Sequence, residues 1–384
     1  MDWSQVNVLV LDAPSRQILP ILKELHELKC DITTLCWSKL DNGYVSRYPK
    51  KRIMVSRENG GDFLTVLVNE VRTKRYDAVL PLSDYSMDIV TKNIDKLQPY
   101  VKLPVPSREV FMRAYNKQKT MEICMNYGIP CPITKREDED LDAFVDRVGF
   151  PIIAKPRMAN GSRGLKIVKD KQKLKELIDR KVIQLDEYVI QEYIPQTGKQ
   201  YNIHLFMDDQ GCLAANLVTE KSRWYPVDGG ASCLCRTMWD QVIADNCRRL
   251  LEAVGWRSYC EIEMIVDPRD GTAKVMEING RASASIKIMD LAGINVAKQM
   301  LQLALNEPVD KYGKAKDDVR LRCLLTDVLW LIQSRDRFVR KPFWFSPVRT
   351  HDALFSMADP VPAFAYIIKE IPKYREEMKK RKRE

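Results

Sequence analysis

The chain of 384 residues carries 62 basic and 52 acidic side chains, a net charge of +10, and 45% of its residues are hydrophobic. This composition is typical of a soluble globular protein of two or three domains, and no apolar run reaches the roughly 18–20 residues that span a bilayer. The three histidines are far apart and the ten cysteines form no CxxC pair, which argues against a histidine-based metal site, a Ser-His-Asp hydrolase and a zinc ribbon.

The first 114 residues alternate between apolar runs and amphipathic stretches, which predicts a doubly wound α/β domain. The turn after its first strand contains no GxGxxG motif, so we expect a scaffold that forms one wall of a cleft rather than a dinucleotide site. The predicted strands are Val6–Leu11, Asp31–Trp37 and Tyr76–Leu82, and the predicted helices are Ser15–Leu28 and Asp62–Val71.

Two further units are predicted between residues 115 and 311. The first contains helices at Arg113–Tyr127, Leu141–Val148 and Lys171–Arg180 and strands at Pro151–Lys155, Leu165–Val168 and Tyr188–Tyr193. The second contains strands at Tyr201–Met207 and Cys212–Thr219, a loop at Lys221–Ser232, a helix at Asp240–Val254 and a hairpin from Cys260 to Arg281.

The hairpin carries the strongest chemical signal in the sequence. If its turn centres on Asp270, Glu263 lies opposite Glu277 and Glu261 lies opposite Asn279. Like charges directly across a sheet repel each other, and a hard divalent cation with oxygen ligands would offset that repulsion. The alternative is an ordinary solvated strand face.

Four other segments have residue types that suit a nucleotide or its substrate. Lys155 ends an apolar strand and can direct a charge at a phosphate, and residues 159–164 can fold over phosphate oxygens or form a tight turn. Residues 191–194 can pair with an adenine edge or simply connect two units. Arg281 can stabilise a transferring phosphoryl group or pair with a neighbouring glutamate. Arg223, in the loop 223–230, can hold a substrate carboxylate, or the loop is merely exposed.

The order of these features resembles the ATP-grasp superfamily over about residues 1–305. The features are, in order, a helix lysine (Lys117), a strand-end lysine (Lys155), a Gly/Ser loop, a strand ending in QEYI, and Glu…Glu-x-Asn-x-Arg. This order is most similar to the carbamoyl-phosphate-synthase-like branch, which includes D-aspartate ligase. The resemblance implies an α/β fold with an α+β catalytic core. Its parts would be a pre-ATP-grasp domain (1–114), a small subdomain with a phosphate loop (115–190), a catalytic subdomain (191–311) and a C-terminal extension (312–384).

The resemblance also implies a role for each site residue, with ATP and Mg²⁺ or Mn²⁺ as cofactors. One position departs from the family, because Gln200 stands where a glutamate usually binds the ribose; Gly280 also replaces a more usual proline and is expected to loosen its loop. The implied phosphate contacts are Lys117, Lys155, Asn160, Gly161, Ser162 and Gly164; the adenine and ribose contacts are Gln191, Glu192, Tyr193, Ile194 and Gln200; the metal ligands are Glu263, Glu277 and Asn279; the catalytic residue is Arg281; and the substrate contact is Arg223.

The expected activity is that of an ATP-dependent ligase. A small-molecule carboxylate becomes an acylphosphate, ADP is released, and an amine attacks, in the synthesis of a cell-wall, glycan or peptide-like precursor. One alternative is a nucleotide-binding sensor or pseudoenzyme, which Gln200 favours. The net charge suggests a nucleic-acid-binding protein as another alternative. No recognition motif supports it, and no nucleic-acid partner is expected. The sequence leaves a homodimer open.

The C-terminal residues lie outside the part that resembles the family. Arg320–Ile332 is largely apolar and predicts a strand added to the core; a basic run and an aromatic run follow at Arg335–Arg340 and Pro342–Phe345. Lys369–Glu384 holds eight basic and four acidic residues. Basic residues beside exposed aromatics predict peripheral membrane contact, and the alternative is a packed helix with a solvated basic end. The scattered cysteines predict a cytoplasmic protein.

Overall fold

Three β-sheets organise the chain in the computed structural model, which describes residues 1–55, 62–158, 164–227, 230–313, 315–346 and 349–381. The first sheet is parallel, with strand order β3-β2-β1-β4, and its strands β1 and β4 are completely buried at Val8, Leu9 and Val79. Both faces of these strands are covered, which is why they appear in the sequence as continuous apolar runs. This part contains β1 (Asn7–Val10), α1 (Ile18–Glu27), β2 (Asp31–Cys36), α2 (Asn42–Val45), β3 (Lys51–Met54), α3 (Phe63–Thr73), β4 (Ala78–Leu80), α4 (Asp84–Lys92), α5 (Ile94–Leu97) and α6 (Arg108–Tyr115).

The second sheet is a small antiparallel sheet of order β6-β5-β7, packed against two helices. The helix expected at Arg113–Tyr127 is in fact two helices. Asn116 separates them because its side chain caps the second one, accepting hydrogen bonds from the backbone N–H groups of Gln118 and Lys119. The elements are α7 (Lys117–Asn126), α8 (Leu141–Val148), β5 (Ile152–Pro156), β6 (Lys166–Val168), α9 (Lys171–Asp179) and β7 (Tyr188–Glu192).

The third sheet has seven strands in the order β12-β11-β8-β9-β10-β13-β14. Its strands are antiparallel except for the last pair. The loop expected at 221–232 is wrong, because β9 continues to Tyr225 and pairs with β10 across a short connection. The elements are β8 (Gln200–Met207), β9 (Leu213–Tyr225), β10 (Ala231–Met238), α10 (Gln241–Val254), β11 (Ser258–Val266), β12 (Ala273–Asn279), α11 (Lys287–Leu291), α12 (Val296–Ala304), β13 (Arg320–Arg322) and β14 (Thr350–Asp352).

The register of the β11–β12 hairpin is the one expected from its turn. Glu263 pairs with Glu277 and Glu261 pairs with Asn279. The register shifts by one residue immediately beyond the glutamate pair, where Met264 pairs with Val275 and Met276 becomes the extra residue of a β-bulge. Bulges of this kind occur beside functional sites because they redirect neighbouring groups.

Two helices complete the C-terminal part: α13 (Leu324–Gln333) and α14 (Val361–Arg381). The strand expected at Arg320–Ile332 is therefore correct only for its first three residues. In α13, Asp327 and Trp330 are buried three residues apart, a helical spacing, and both contact Arg223 of β9. Within the described ranges, no helix is long and apolar enough to cross a membrane.

The contact between α13 and the sheet depends on a buried ion pair. Arg223 Nε lies 2.7 Å from Asp327 Oδ1 and its Nη2 lies 2.9 Å from Oδ2, and the two side chains are 2% and 0% exposed. The guanidinium also donates to the carbonyl of Pro342 at 2.8 Å and lies 5.0 Å from the Trp330 ring centre. Removal of one partner would leave the other charge buried without compensation.

We therefore expect Arg223→Met to lower the free energy of unfolding by about 3–5 kcal/mol. The matched control is Arg236→Met, because Arg236 pairs with Glu220 at 3.0 Å while 44% exposed. That change should cost less than about 1 kcal/mol. Urea unfolding of both variants tests the comparison, and equal losses would show that the buried pair does not hold α13 in place.

Candidate active site

Strands β11 and β12 bring together four oxygen-bearing side chains, Glu261, Glu263, Glu277 and Asn279, which we call the carboxylate face. Asn279 Nδ2 donates to Glu263 Oε1 at 3.2 Å and lies 3.4 Å from Glu261 Oε1. Glu261 and Asn279 are almost completely buried, whereas Glu277 keeps a partly open side chain. The hairpin register alone accounts for this grouping, since paired residues project from the same face of a sheet.

Three lysines from three other elements surround the carboxylate face. Lys221 of β9 has its Nζ 2.7 Å from Glu263 Oε2, and Lys117, the first residue of α7, has its Nζ 3.1 Å from Glu277 Oε2. Lys155 of β5 donates to the carbonyl of Met276 at 3.1 Å, so the bulge residue provides its acceptor. The ammonium groups of Lys117 and Lys221 offset the repulsion that the glutamates would otherwise exert.

Burial and these charges shift the pKa values of the site. Burial lowers the pKa of Lys155 to about 8, and the charge of Lys117 contributes to the decrease, although Glu277 opposes it. Burial alone would raise the pKa of Glu263, but its ion pair with Lys221 brings that pKa below the ordinary value. Burial and the charge of Glu263 raise the pKa of Glu261. The two neighbouring glutamates thus differ in their tendency to hold a proton.

Arg281 connects the carboxylate face to helix α4 of the N-terminal part. Its Nε lies 3.0 Å from Asp84 Oδ2 in the first turn of α4, and its Nη2 donates to Asn279 Oδ1 at 3.1 Å. The sequence suggested a salt bridge to Glu261 or Glu263, but the partner at hydrogen-bond distance is Asp84. The segment before Arg281 is tightly packed: a Cβ on Gly280 would lie 2.5 Å from the Trp256 ring, so glycine fits this turn rather than loosening it.

The residues expected to line an adenine lie at the end of β7 and just after it. Gln191 Nε2 donates to Thr134 Oγ1 at 2.7 Å, while its Oε1 is buried without a protein partner. Glu192 pairs with Lys274 at 3.0 Å and with Arg269 at 2.6 Å, so its carboxylate braces the β11–β12 turn and is not free for a ligand. Tyr193 is half-buried and Ile194 is buried.

Two other expected nucleotide contacts, Gln200 and Gly164, lie at the start of β8 and just before β6. Gln200 begins β8, two residues before Asn202 on the same strand face, and its amide lies 3.5 Å from Gln196 Oε1. Gly164 has a φ of +75°, and an added Cβ would lie 2.9 Å from Pro156, so this position requires glycine. The other expected loop residues, Asn160, Gly161 and Ser162, lie outside the described residues.

Arg223 was expected to lie in a loop beside the substrate, and that placement is wrong. The residue lies in strand β9 rather than in a loop, and its guanidinium is committed to Asp327 and to the carbonyl of Pro342. It cannot hold a substrate carboxylate without breaking the contact that fixes α13. Its role in this structure is to attach the C-terminal part to the large sheet.

A polar network that was not expected from the sequence supports the carboxylate face. Glu261 Oε2 accepts from Asn202 Nδ2 at 3.1 Å and from Ser285 Oγ at 3.0 Å. Ser285 continues through Ser283 and Tyr259 to His204, with successive distances of 3.2, 3.1 and 2.7 Å. The available signal was the alternation of Asn202 and His204 along β8. Lys221 was missed because it was assigned to a loop, and Asp84 because it is distant in sequence.

The carboxylate face fits a magnesium or manganese ion completed by phosphate oxygens. Glu263, Glu277 and the Asn279 carbonyl supply hard oxygen donors, and Mg²⁺ usually takes one or two carboxylates together with waters and substrate phosphates. No group of three or more His, Cys, Asp or Glu side chains suitable for a metal is found in the part of the chain that the structure describes. Two carboxylates and one amide carbonyl leave part of the coordination shell of Mg²⁺ open, so the donor set suits an ion shared with a phosphorylated ligand better than an all-protein site.

Comparison with known proteins places this arrangement in a family. The family model for the carbamoyl-phosphate synthase L chain, ATP-binding domain, matches residues 112–312, which is more than half of the chain. A D-aspartate ligase from Enterococcus faecium is 22% identical over 271 residues, covering 64% of this chain and 63% of the ligase. The chain thus spans less than two thirds of the length of that relative.

Solved structures share the fold at low sequence identity. An L-amino acid ligase from Bacillus licheniformis has 18% identity and a TM-score of 0.60, covering 80% of this chain and 75% of that one. The biotin carboxylase domain of Hydrogenobacter thermophilus 2-oxoglutarate carboxylase, in complex with MgADP, has 15% identity and a TM-score of 0.65, covering 82% and 73%. The expected fold class is confirmed, and the chain belongs to the ATP-grasp superfamily, in the family of carbamoyl-phosphate synthase L-chain ATP-binding domains.

Proposed function

We propose that this protein is an ATP-dependent ligase that activates a carboxylate as an acylphosphate and joins it to an amine. The observation that carries the proposal is the carboxylate face, with Glu263 opposite Glu277 and with lysines and Arg281 around it. Two acidic side chains ringed by cations suit a metal-bound polyphosphate, since each phosphate oxygen needs a positive partner and each metal needs oxygen ligands.

Each residue would have a defined part in the reaction. Lys117 and Lys155 would bind phosphate oxygens, and Glu263, Glu277 and Asn279 would hold magnesium, which neutralises charge on the transferring phosphate. A carboxylate oxygen attacks the γ-phosphorus, and the bond from that phosphorus to the leaving ADP oxygen breaks. The amine then attacks the carbonyl carbon, inorganic phosphate leaves, and the amine proton passes to solvent. Arg281 would hold charge that develops on the phosphoryl group.

The class of substrates is supported by the comparisons rather than by a described pocket. The D-aspartate ligase and the L-amino acid ligase both have amino acids in their names, so we propose an amino-acid-like carboxylate or amine, as in cell-wall or peptide-like precursors. A second candidate is bicarbonate as the carboxylate, which the carbamoyl-phosphate synthase family model and the biotin carboxylase domain favour. The sensor interpretation depends on Gln200 alone. Nucleic-acid binding has no support from the comparisons, and a homodimer stays a prediction.

Transfer of labelled oxygen tests the proposed chemistry directly. We expect ADP release to depend on a carboxylate and an amine together, and one ¹⁸O from the labelled carboxylate to appear in each inorganic phosphate. Amino-acid pairs and bicarbonate are screened in parallel, with phosphate analysed by mass spectrometry and Glu277→Gln as an inactive control. Inorganic phosphate that carries no ¹⁸O from the carboxylate would mean ATP hydrolysis without acylphosphate formation and would contradict the proposal.

Substitution of Arg281 should separate catalysis from ATP binding. We expect Arg281→Met to lower kcat by about 10²–10³-fold, because a donor at the developing charge is lost, while ATP affinity changes little. Asp84→Asn should cause a smaller decrease, since Asp84 only orients the guanidinium. Steady-state kinetics and calorimetry measure the two effects. Retention of the parent kcat by the Arg281→Met variant would remove Arg281 from the mechanism.

Lys155 should make ATP binding depend on pH. With a pKa of about 8 in the nucleotide-free protein, its ammonium is present below pH 8 and is lost as pH rises through that value. Binding of phosphate above pH 8 then requires uptake of a proton, so the Kd should increase by up to about tenfold per pH unit. Lys155→Arg stays charged and should show a flatter profile between pH 7 and 9.5. Identical profiles in calorimetry would contradict this assignment.

A further inference from the structure

Helix α14 presents an apolar stripe to solvent, which is unusual for a helix that packs on a globular protein. Val361, Phe364 and Ile368 are 52%, 60% and 63% exposed, and Met357, in the turn just before the helix, is 86% exposed. Val361, Phe364 and Ile368 follow one another at spacings of three and four within the helix, so they share one face of α14. We call Val361, Phe364 and Ile368 the apolar stripe.

The stripe is not the result of a loosely attached helix. Other residues of α14 attach it to the N-terminal part of the chain: Ala363 and Ala365 are 5% exposed, and Lys369 Nζ lies 2.6 Å from Asp41 Oδ1. Just before the helix, Asp359 accepts a hydrogen bond from Ser46 Oγ at 2.6 Å. The fold therefore holds α14 with its apolar stripe facing outward.

The charge that follows the stripe selects among partners. From Lys369 onward the sequence has eight basic and four acidic residues, a net excess of four positive charges. A second copy of the chain would bring an equal positive charge against this one, whereas an anionic lipid surface complements it. Amphipathic helices bind a lipid interface in this way, with apolar side chains at the acyl boundary and basic side chains among the headgroups.

We propose that α14 is a docking element for an anionic membrane surface, with the apolar stripe inserted at the interface and the net positive charge of the sequence from Lys369 onward favouring anionic lipid. The proposal does not depend on the ligase activity, because none of the residues of the carboxylate face takes part. It gives this protein a peripheral and reversible attachment, since a single short stripe binds far more weakly than a spanning helix. A substrate or product held at a membrane would then be within reach of the enzyme.

Flotation of the full-length protein with vesicles tests the proposal. We expect binding to vesicles of 30 mol% phosphatidylglycerol in phosphatidylcholine to be at least about tenfold tighter than to phosphatidylcholine alone, and to weaken in 0.5 M salt. The double change Phe364→Glu and Ile368→Glu should reduce that binding by at least about tenfold. The control is Val242→Glu, an equally exposed apolar residue on α10, which should bind like the parent.

Two results would overturn the proposal. In the first, the parent fails to float with the anionic vesicles, and dissociation of a parent dimer by the double change would then assign the stripe to a second copy. In the second, the double variant floats as well as the parent. The milder pair Phe364→Ser and Ile368→Ser repeats the test in case glutamates disturb folding, and thermal unfolding of every variant checks that α14 stays packed. ATP binding is measured in parallel, so loss of docking and failure of the ligase proposal are distinguished.

Discussion

The site depends on one constraint, the pairing of Glu263 with Glu277 across neighbouring strands. Two negative charges in this position destabilise a sheet unless positive groups surround them. Lys221 and Lys117 provide that charge from β9 and from the start of α7, so elements far apart in sequence must converge on the hairpin. The negative charge that is costly for the strand pair is also what would hold a metal cation and its phosphates in the function proposed above.

Much of this arrangement was predictable because it follows from local rules. The buried strands of the first sheet and the register of the β11–β12 hairpin depend on apolar patterns and turn residues a few positions apart, and both are as expected. The bulge at Met276 was not predictable, because the apolar and polar residues of the sequence keep alternating on both sides of it. It matters nonetheless, because it offers the carbonyl that Lys155 binds.

The errors arose where long-range contacts decide the structure. Arg223 seemed suited to a substrate because a loop was expected around it. Its partner Asp327 lies 104 residues away, and only the folded structure reveals that the two are buried together. Arg320–Ile332 is apolar enough for a strand, yet most of it forms helix α13. The buried residues of this helix, Asp327 and Trp330, are three positions apart, which is a helical spacing. Asp84 orients Arg281 across an even longer separation, so the N-terminal domain contributes directly to the site rather than only forming a wall.

Calorimetry can test whether Glu277 and its neighbours hold a metal-bound nucleotide, as proposed. ATP is titrated into the parent and into Glu277→Gln, with magnesium and with chelator, and Glu220→Gln on β9 is the matched control. We expect binding that requires magnesium in the parent and in the control and that is weakened strongly by the change at Glu277. Equal, magnesium-dependent binding by all three proteins would show that the metal and the phosphates lie elsewhere.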